Sequence, residues 1–176
     1  MSRADWKRGR FSATDEVERI DRGLRAWQRH VGDVISYWRF SHARSVSHDI
    51  YDEGDEGGLA YDGPWPVPVL HATHVEAGDQ EDDRGFYTVD SLEITAGFAQ
   101  IQKVGLTQAD IHTDFYLRDR IAYDGRLFRI AQMSILGQIR RQDVLVSITA
   151  VEVKADELTA DANFAQYIPA VRAGER

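Results

Sequence analysis

Carboxylates, imidazoles and hydroxyls are frequent in this 176-residue chain, and their spacing decides which chemistry they could support. His71 and His74 invite a metal site. In a strand, however, residues three apart point to opposite faces, and Pro66 and Pro68 just upstream disfavour a helix that would bring the two rings together. We therefore predict that no metal is bound here.

Other reactive groups give no catalytic pattern. The carboxylates of residues 48–62 are not in the alternating order of a calcium-binding loop, and exposed carboxylates are poorly prepared for acid–base catalysis. There is no glycine-rich phosphate loop or nucleophile elbow, and Ser, His and Asp are too scattered to assign a triad. The absence of cysteine excludes thiolate catalysis and disulfides. We expect no enzyme and no cofactor.

The net charge of −8 is distributed unevenly along the chain. Residues 1–44 contain ten basic and six acidic residues, residues 45–93 contain one and thirteen, and residues 94–176 contain ten and ten. An acidic middle segment repels phosphate backbones, which disfavours tight, nonspecific nucleic-acid binding through it. The basic N-terminal segment suits an acidic partner.

The N-terminal segment has the pattern of an amphipathic helix that starts near Ser12 or Thr14 and ends near Gly32. Its apolar stripe consists of Val17, Ile20, Leu24, Trp27 and Val31. The other faces carry Arg19, Arg22, Arg25 and Arg29. These arginines form either a solvated outer face or a surface that docks on an adaptor or a neighbouring subunit.

Strand patterns follow the helix. Asp124-Gly125 supplies the positive φ angles of a tight hairpin turn between Arg120–Tyr123 and Arg126–Met133. Gly137 indicates a further reversal of the chain. The alternating prolines at 64, 66 and 68 indicate either an edge strand or an extended arm. Residues 98–104 either continue a strand or form a helical turn. The remaining predicted strands cover residues 34–40, 69–75, 86–95 and 143–153, and a short terminal helix covers 156–167.

These patterns predict a mainly β fold, a small antiparallel β-barrel or sandwich with an N-terminal amphipathic helix and long acidic loops. We divide the chain into an arm and helix (1–33), a β-barrel domain (34–155) and a C-terminal helix and tail (156–176). The acidic loops cover residues 48–62 and 78–85. No signal-peptide core or membrane span is recognised, so we expect a soluble protein with no membrane partner.

The hairpin region carries a resemblance to a known family. The string LRDRIAYDGRLFRI at residues 117–130 resembles a hairpin motif of the head-to-tail stopper, or head-closure, proteins of long-tailed bacteriophages. Residues 36–58, with YWRF and SVSHDIYDEG, look like the corresponding part of stoppers from phages of actinobacteria. The resemblance covers roughly residues 34–160, and the N-terminal helix lies outside it.

The resemblance implies a virion protein made in the host cytoplasm and located in the neck between capsid and tail. Identical copies would form a ring, a hexamer, below the portal and adaptor and above the tail terminator or tail tube. That ring would help to retain packaged DNA, which passes through its channel without tight binding.

An acidic channel wall suits that task because it repels DNA phosphates. The first candidate for a channel or gating loop therefore consists of Asp49, Tyr51, Asp52, Glu53, Asp55 and Glu56. The second is the acidic loop with Asp79, Glu81, Asp82 and Asp83. Solvated loops or contacts with a neighbouring ring are the alternative for both. Another tail-completion or terminator subunit, a small β-barrel ligand-binding module and an enzyme remain competing functions.

Overall fold

The computed structural model describes residues 13–45, 59–76, 80–82, 85–87, 90–139, 142–153 and 162–167. The helices are α1 (Ala13–His30), α2 (Phe98–Lys103), α3 (Gln108–His112) and a C-terminal 3₁₀ helix (Ala162–Tyr167). The strands are β1 (Asp33–Phe40), β2 (Tyr61–Val69), β3 (His71–Val75), β4 (Gln80–Asp82), β5 (Gly85–Tyr87), β6 (Ser91–Gly97), β7 (Arg120–Tyr123), β8 (Arg126–Ile139) and β9 (Gln142–Glu152). None of the helices in the described ranges is long and apolar enough to cross a membrane.

Seven strands form one antiparallel sheet in the order β2-β1-β7-β8-β9-β6-β3, and β4 pairs with β5 separately. The predicted mainly β fold with an N-terminal helix is therefore confirmed. Of the predicted barrel and sandwich, the barrel needs correction, because the sheet is not a closed barrel. Its two edge strands, β2 and β3, pair with β1 and β6 and not with each other.

The two edges nevertheless meet at one corner, because a single residue, Leu70, connects β2 to β3. The N–H of Leu70 donates a hydrogen bond to the carbonyl of Thr95 on β6, at 2.8 Å. A sheet whose first and last strands are consecutive in the chain must curl strongly. Its concave side holds the main core.

Adjacent residues of the central strands alternate between two apolar clusters. Ile121 and Phe128 face the main core, whereas Ala122 and Leu127 belong to a second cluster on the opposite face. This is the period of two that a strand imposes on its side chains. Phe164 of the 3₁₀ helix covers the second cluster, with its ring 5.2 Å from that of Trp38.

The segment that contains α2 and α3 fills the concave side of the sheet. Its buried side chains join the same core as the strands: Phe98, Ile101, Val104, Leu106, Ile111 and Tyr116. Arg39 of β1 fixes the loop after α2, since its guanidinium donates to the carbonyl of Gly105 at 2.6 Å. Gly105 has a φ of 90°, a backbone conformation that residues with a side chain rarely adopt, so glycine is favoured in this loop.

Several predicted boundaries need correction. Gly137 is not a reversal: it lies inside β8, where the pairing register with β9 shifts, and β8 continues to Ile139. The predicted strand 86–95 is two strands with different partners, β5 and β6. The predicted strand 69–75 is divided at Leu70, and the loop assigned to residues 48–62 gives way to β2 at Tyr61. Residues 98–104 take the helical alternative.

Candidate functional site

The predicted apolar stripe of α1 is only half covered. Val17, Ile20 and Leu24 are partly buried, whereas Trp27 is 57% exposed and Val31 62% exposed. Val34, at the start of β1, is 56% exposed. We refer to Trp27, Val31 and Val34 as the apolar patch. Trp27 and Val31 lie one helical turn apart, and Val34 follows three residues later. Exposed large apolar side chains are typical of protein–protein contacts.

The four predicted docking arginines on α1 are all exposed. Two of them form ion pairs along the helix, Arg22 with Glu18 at 3.1 Å and Arg25 with Asp21. Within the described part of the chain, no ion pair involves Arg19 or Arg29. Ion pairs at this spacing on an exposed helix stabilise the fold by only roughly 0.3–0.5 kcal/mol each. They offset the charge of two of the four arginines.

The first candidate channel loop, Asp49 to Glu56, lies outside the described residues, which end before it at Ser45 and begin again at Leu59. The described residues on either side of it are held together by Ser41, Ser45 and Ala60. The N–H of Ser41 donates to the carbonyl of Ala60 at 2.9 Å, and the N–H of Ala60 donates to the Ser45 hydroxyl at 2.9 Å. The Ser45 hydroxyl also donates to the carbonyl of Ser41 at 2.8 Å. We refer to these three residues as the loop clamp.

Two further contacts support the loop clamp. Arg44 pairs with Asp62 and donates to the carbonyl of Tyr61 at 3.1 Å. The Asn163 side chain, from the C-terminal 3₁₀ helix, donates to the carbonyl of Leu59 at 3.1 Å. The segment of thirteen residues between Ser45 and Leu59 therefore starts and ends at one fixed point.

The second candidate loop contains a short hairpin that the sequence did not predict. Glu81 and Asp82 belong to β4, which pairs with β5 through Glu81 opposite Phe86. Asp79 and Asp83 lie outside the described residues. The hairpin is not part of the seven-stranded sheet.

The predicted hairpin turn within residues 117–130 is present at Asp124 and Gly125, which have φ angles of 48° and 73°. β7 and β8 pair on either side of it, with Tyr123 opposite Arg126. The turn therefore has two consecutive positive φ values, as the Asp-Gly pair predicts.

Sequence reasoning assigned no role to Asp119, which precedes this hairpin and is only 2% exposed. Its carboxylate accepts a hydrogen bond from the Tyr37 hydroxyl at 2.6 Å and another from the N–H of Phe40 at 2.7 Å. Burial raises the pKa of the Asp119 carboxyl to about 6, although both hydrogen bonds lower it. Burial also raises the pKa of Tyr37 well above its ordinary value, and the Asp119 charge adds to that shift. Asp119 thus ties β7 to β1.

His71 and His74 lie on strand β3, as predicted, and have different partners. His71 contacts Thr73, whereas the His74 ring lies 3.1 Å from Asp90, which Arg126 also contacts at 2.9 Å. Among the residues that the structure describes, no group of three or more His, Cys, Asp or Glu side chains is arranged to hold a metal ion. The His74 cluster links the ends of β3, β6 and β8.

Comparisons with known proteins give little similarity. No family model matches the chain, and no curated protein matches it. One similar solved chain comes from a structure described as "Virion of native gene transfer agent (GTA) particle". It is 19% identical with a TM-score of 0.38, and the similarity covers 69% of this chain and 94% of that chain.

Proposed function

We propose that this chain is a structural subunit of a phage head-to-tail connector. Copies of it form a ring that links the portal and adaptor to the tail and helps to retain packaged DNA. The observation that carries an assembly role is the apolar patch, where Trp27, Val31 and Val34 are each more than half exposed. The stopper-like string at residues 117–130 supports the specific kind of assembly.

In this proposal the apolar patch and the basic side of α1 contact a neighbouring subunit or the adaptor. Trp27 supplies a large apolar contact of the kind that dominates binding energy at interfaces. Arg19 and Arg29 would steer an acidic partner surface towards the helix, because exposed charges affect association rates more than final affinity. Trp27 lies on the same helix as the arginines, and Val31 and Val34 follow directly after that helix, so a single partner can contact both.

The acidic segment between Ser45 and Leu59 is proposed to face the DNA channel. The loop clamp holds the described residues on either side of this segment at one point of the subunit. Its carboxylates would repel DNA phosphates and let the genome pass without adhering. The second acidic segment, around β4 and β5, is the alternative candidate for the surface that faces the DNA channel.

Electron microscopy of the purified chain, alone and mixed with portal–adaptor assemblies of the same phage, tests this function. We expect rings, either free or on the adaptor. A chain that stays monomeric and never joins the adaptor would contradict the proposal. Rings that stack on purified tail tubes and ignore the adaptor would instead identify a terminator subunit.

A further inference from the structure

Strand β8 extends far beyond its partner β7 and leaves part of its backbone edge open. β7 pairs only with residues 126–129 of β8, while β9 pairs with β8 as far as Ile139. The Tyr116 hydroxyl covers the next part of the edge, since it accepts a hydrogen bond from the N–H of Met133 at 3.0 Å. Backbone groups alternate in direction along a strand, so the N–H and C=O of Ile135 also point away from β9. Within the described part of the chain, nothing bonds them on that side.

A groove of about 470 Å³ runs along this open stretch, residues 134–138, and gives access to its backbone. Ile111 and His112 of α3 form the opposite wall. Leu136 has no partner residue on β9, because the pairing register shifts there, and its side chain is 57% exposed. The stretch contains no proline and no charged residue. It therefore lacks the features with which proteins usually prevent pairing at a strand edge.

The outer edge of β3 is open in the same way. The carbonyl of Thr95 on β6 accepts from the N–H of Leu70, so the backbone groups of Thr95 and of its partner His71 face each other. Alternation along β3 then directs the N–H and C=O of Ala72 and His74 away from β6. Among the described residues, none bonds these groups on that side. The five residues of β3 include no proline, lysine, arginine or carboxylate.

The edge of the sheet at β2 is different, because its prolines block it. Pro66 and Pro68 lie opposite Ser36 and Val34 of β1. Proline has no N–H to donate, so a further strand cannot bond these positions regularly. Of these three edges, the ones at β3 and β8 are therefore able to pair.

The open edges of β3 and β8 face opposite directions in one sheet. β8 is followed across the sheet by β9, β6 and β3, so the open side of β8 faces towards β7 and the open side of β3 faces the other way. Each of the three steps from β8 to β3 is antiparallel, so β3 runs opposite to β8. A second copy placed beside the first in the same orientation presents its β8 antiparallel to the β3 of the first copy. Such a contact joins two different edges and can be repeated from copy to copy, as a ring requires.

The lengths of the two edges also match. Placing Ile135 opposite His74 aligns residues 134–138 with the five residues of β3, and it lets the two residues exchange both backbone hydrogen bonds. The same register places Val75, which is 38% exposed, diagonally beside Leu136. The pairing therefore covers exposed apolar side chains at both edges.

Pairing between two copies of β8 fits less well. An antiparallel pair centred on the open stretch would bring Ile139 of one copy opposite Met133 of the other. The backbone of Met133 is already bonded by Tyr116, whose hydroxyl accepts from the N–H at 3.0 Å and donates to the C=O at 3.5 Å. β3 is only five residues long and ends before this point.

We propose that β3 of one copy adds to residues 134–138 of β8 in the next copy, so that the seven-stranded sheets of neighbouring copies join edge to edge. The inference rests on the proposed ring and specifies which parts of two subunits meet in it. Backbone hydrogen bonds supply the affinity, as in other cases of strand addition, and neither edge carries a carboxylate, lysine or arginine that would repel the other.

Disulfide cross-linking tests the proposal, because the chain contains no cysteine of its own. Ser134→Cys and Val75→Cys are purified separately, mixed, left to assemble alone or on portal–adaptor assemblies, and oxidised. In the proposed register these two residues form a close pair, with Cα atoms about 4.5 Å apart, which suits a disulfide. Because pairing holds the thiols together, we expect about tenfold more cross-linked dimer than in a mixture of Val75→Cys with Leu117→Cys, at another exposed site. No single variant should cross-link by itself.

The outcomes separate this inference from the proposed function. Circular dichroism checks that each variant keeps the fold, and Gln138→Cys with His71→Cys, at the other end of the same register, replaces a pair that does not. Rings in electron microscopy without β3–β8 cross-links would overturn the inference and leave the connector proposal standing. Cross-links from Ser134→Cys alone would assign the edge to a pair of β8 strands and overturn it as well. A chain that stays monomeric and joins no adaptor would contradict both proposals.

Discussion

At the scale of single residues, Asp119 is a buried carboxyl that is costly to ionise. Because the pKa of Asp119 is raised to about 6 in the folded protein, its contribution to stability is fully present below the unfolded pKa near 3.8. That contribution is lost as pH rises through 6, and the loss is at most about 3 kcal/mol. Asp119→Asn cannot ionise but can still accept from Phe40 and donate to Tyr37. We expect urea denaturation to show the variant gaining stability over the wild type between pH 4 and pH 7.5.

Asp119→Ala is the matched control for this prediction. It removes the acceptor and leaves the Tyr37 hydroxyl and the Phe40 N–H buried without a partner, at a cost of about 2–4 kcal/mol. This loss should appear at pH 4, where the wild-type carboxyl is largely protonated. If Asn at position 119 destabilised the protein at pH 7.5 as much as Ala, the carboxylate charge would be stabilising and the prediction wrong.

Gly125 allows a second prediction at this scale. Its φ is 73°, and a Cβ built there meets no atom within 4 Å, so the cost of a side chain is conformational and not steric. Gly125→Val should lower the free energy of unfolding by about 1–2 kcal/mol, because β-branched residues avoid positive φ. Gly125→Asn, which tolerates that region, should cost clearly less. Equal losses for Val and Asn in thermal unfolding would contradict this account.

At the scale of elements, local sequence patterns predicted which helices and strands form better than where each begins and ends. The Asp124-Gly125 turn, the edge position of the proline-rich strand and α1 follow from short-range rules. Gly137 was misread because glycine marks a bulge as well as a turn. The half-exposed stripe of α1 was not predictable, since periodicity shows which residues share a face but not how far that face is covered. Asp119 was missed because its partners are 79 and 82 residues away in sequence.

The exposed half of α1 gives the prediction for this scale. Trp27→Gln combined with Val31→Gln should change the free energy of unfolding by no more than about 0.5 kcal/mol per residue, since both side chains are already exposed. If the apolar patch is an assembly surface, the double variant should lose ring formation or adaptor binding in electron microscopy. Leu117→Gln, 44% exposed elsewhere, is the control and should assemble normally. Normal assembly of the double variant would show that the apolar patch is not part of an assembly interface.

At the scale of the whole molecule, charge is separated along the chain more sharply than a net value of −8 suggests. Most of the acidic residues of the middle segment fall in the sequence between the two sides of the loop clamp or in and next to the β4–β5 hairpin, whereas exposed arginines lie on α1. In the proposed connector, the basic helix would contact an acidic partner and the acidic segments would repel DNA.

This separation can be tested by neutralising the first acidic segment without shortening it. Asp52→Asn, Glu53→Gln, Asp55→Asn and Glu56→Gln together remove four negative charges from the proposed channel wall. We expect complete particles that retain or eject their DNA abnormally, because the repulsion between wall and phosphates is weaker. DNA retention after packaging and infectivity are the measurements.

The matched control neutralises Asp79, Glu81, Asp82 and Asp83, which changes the net charge by the same amount at the second acidic segment. A defect confined to the first variant would assign the channel wall to residues 52–56, and a defect confined to the control would assign it to the β4–β5 segment. Defects of equal size would point to a general effect of net charge. If both variants packaged, retained and delivered DNA normally, neither acidic segment would line the channel, although a ring bound to the adaptor would still identify a connector subunit.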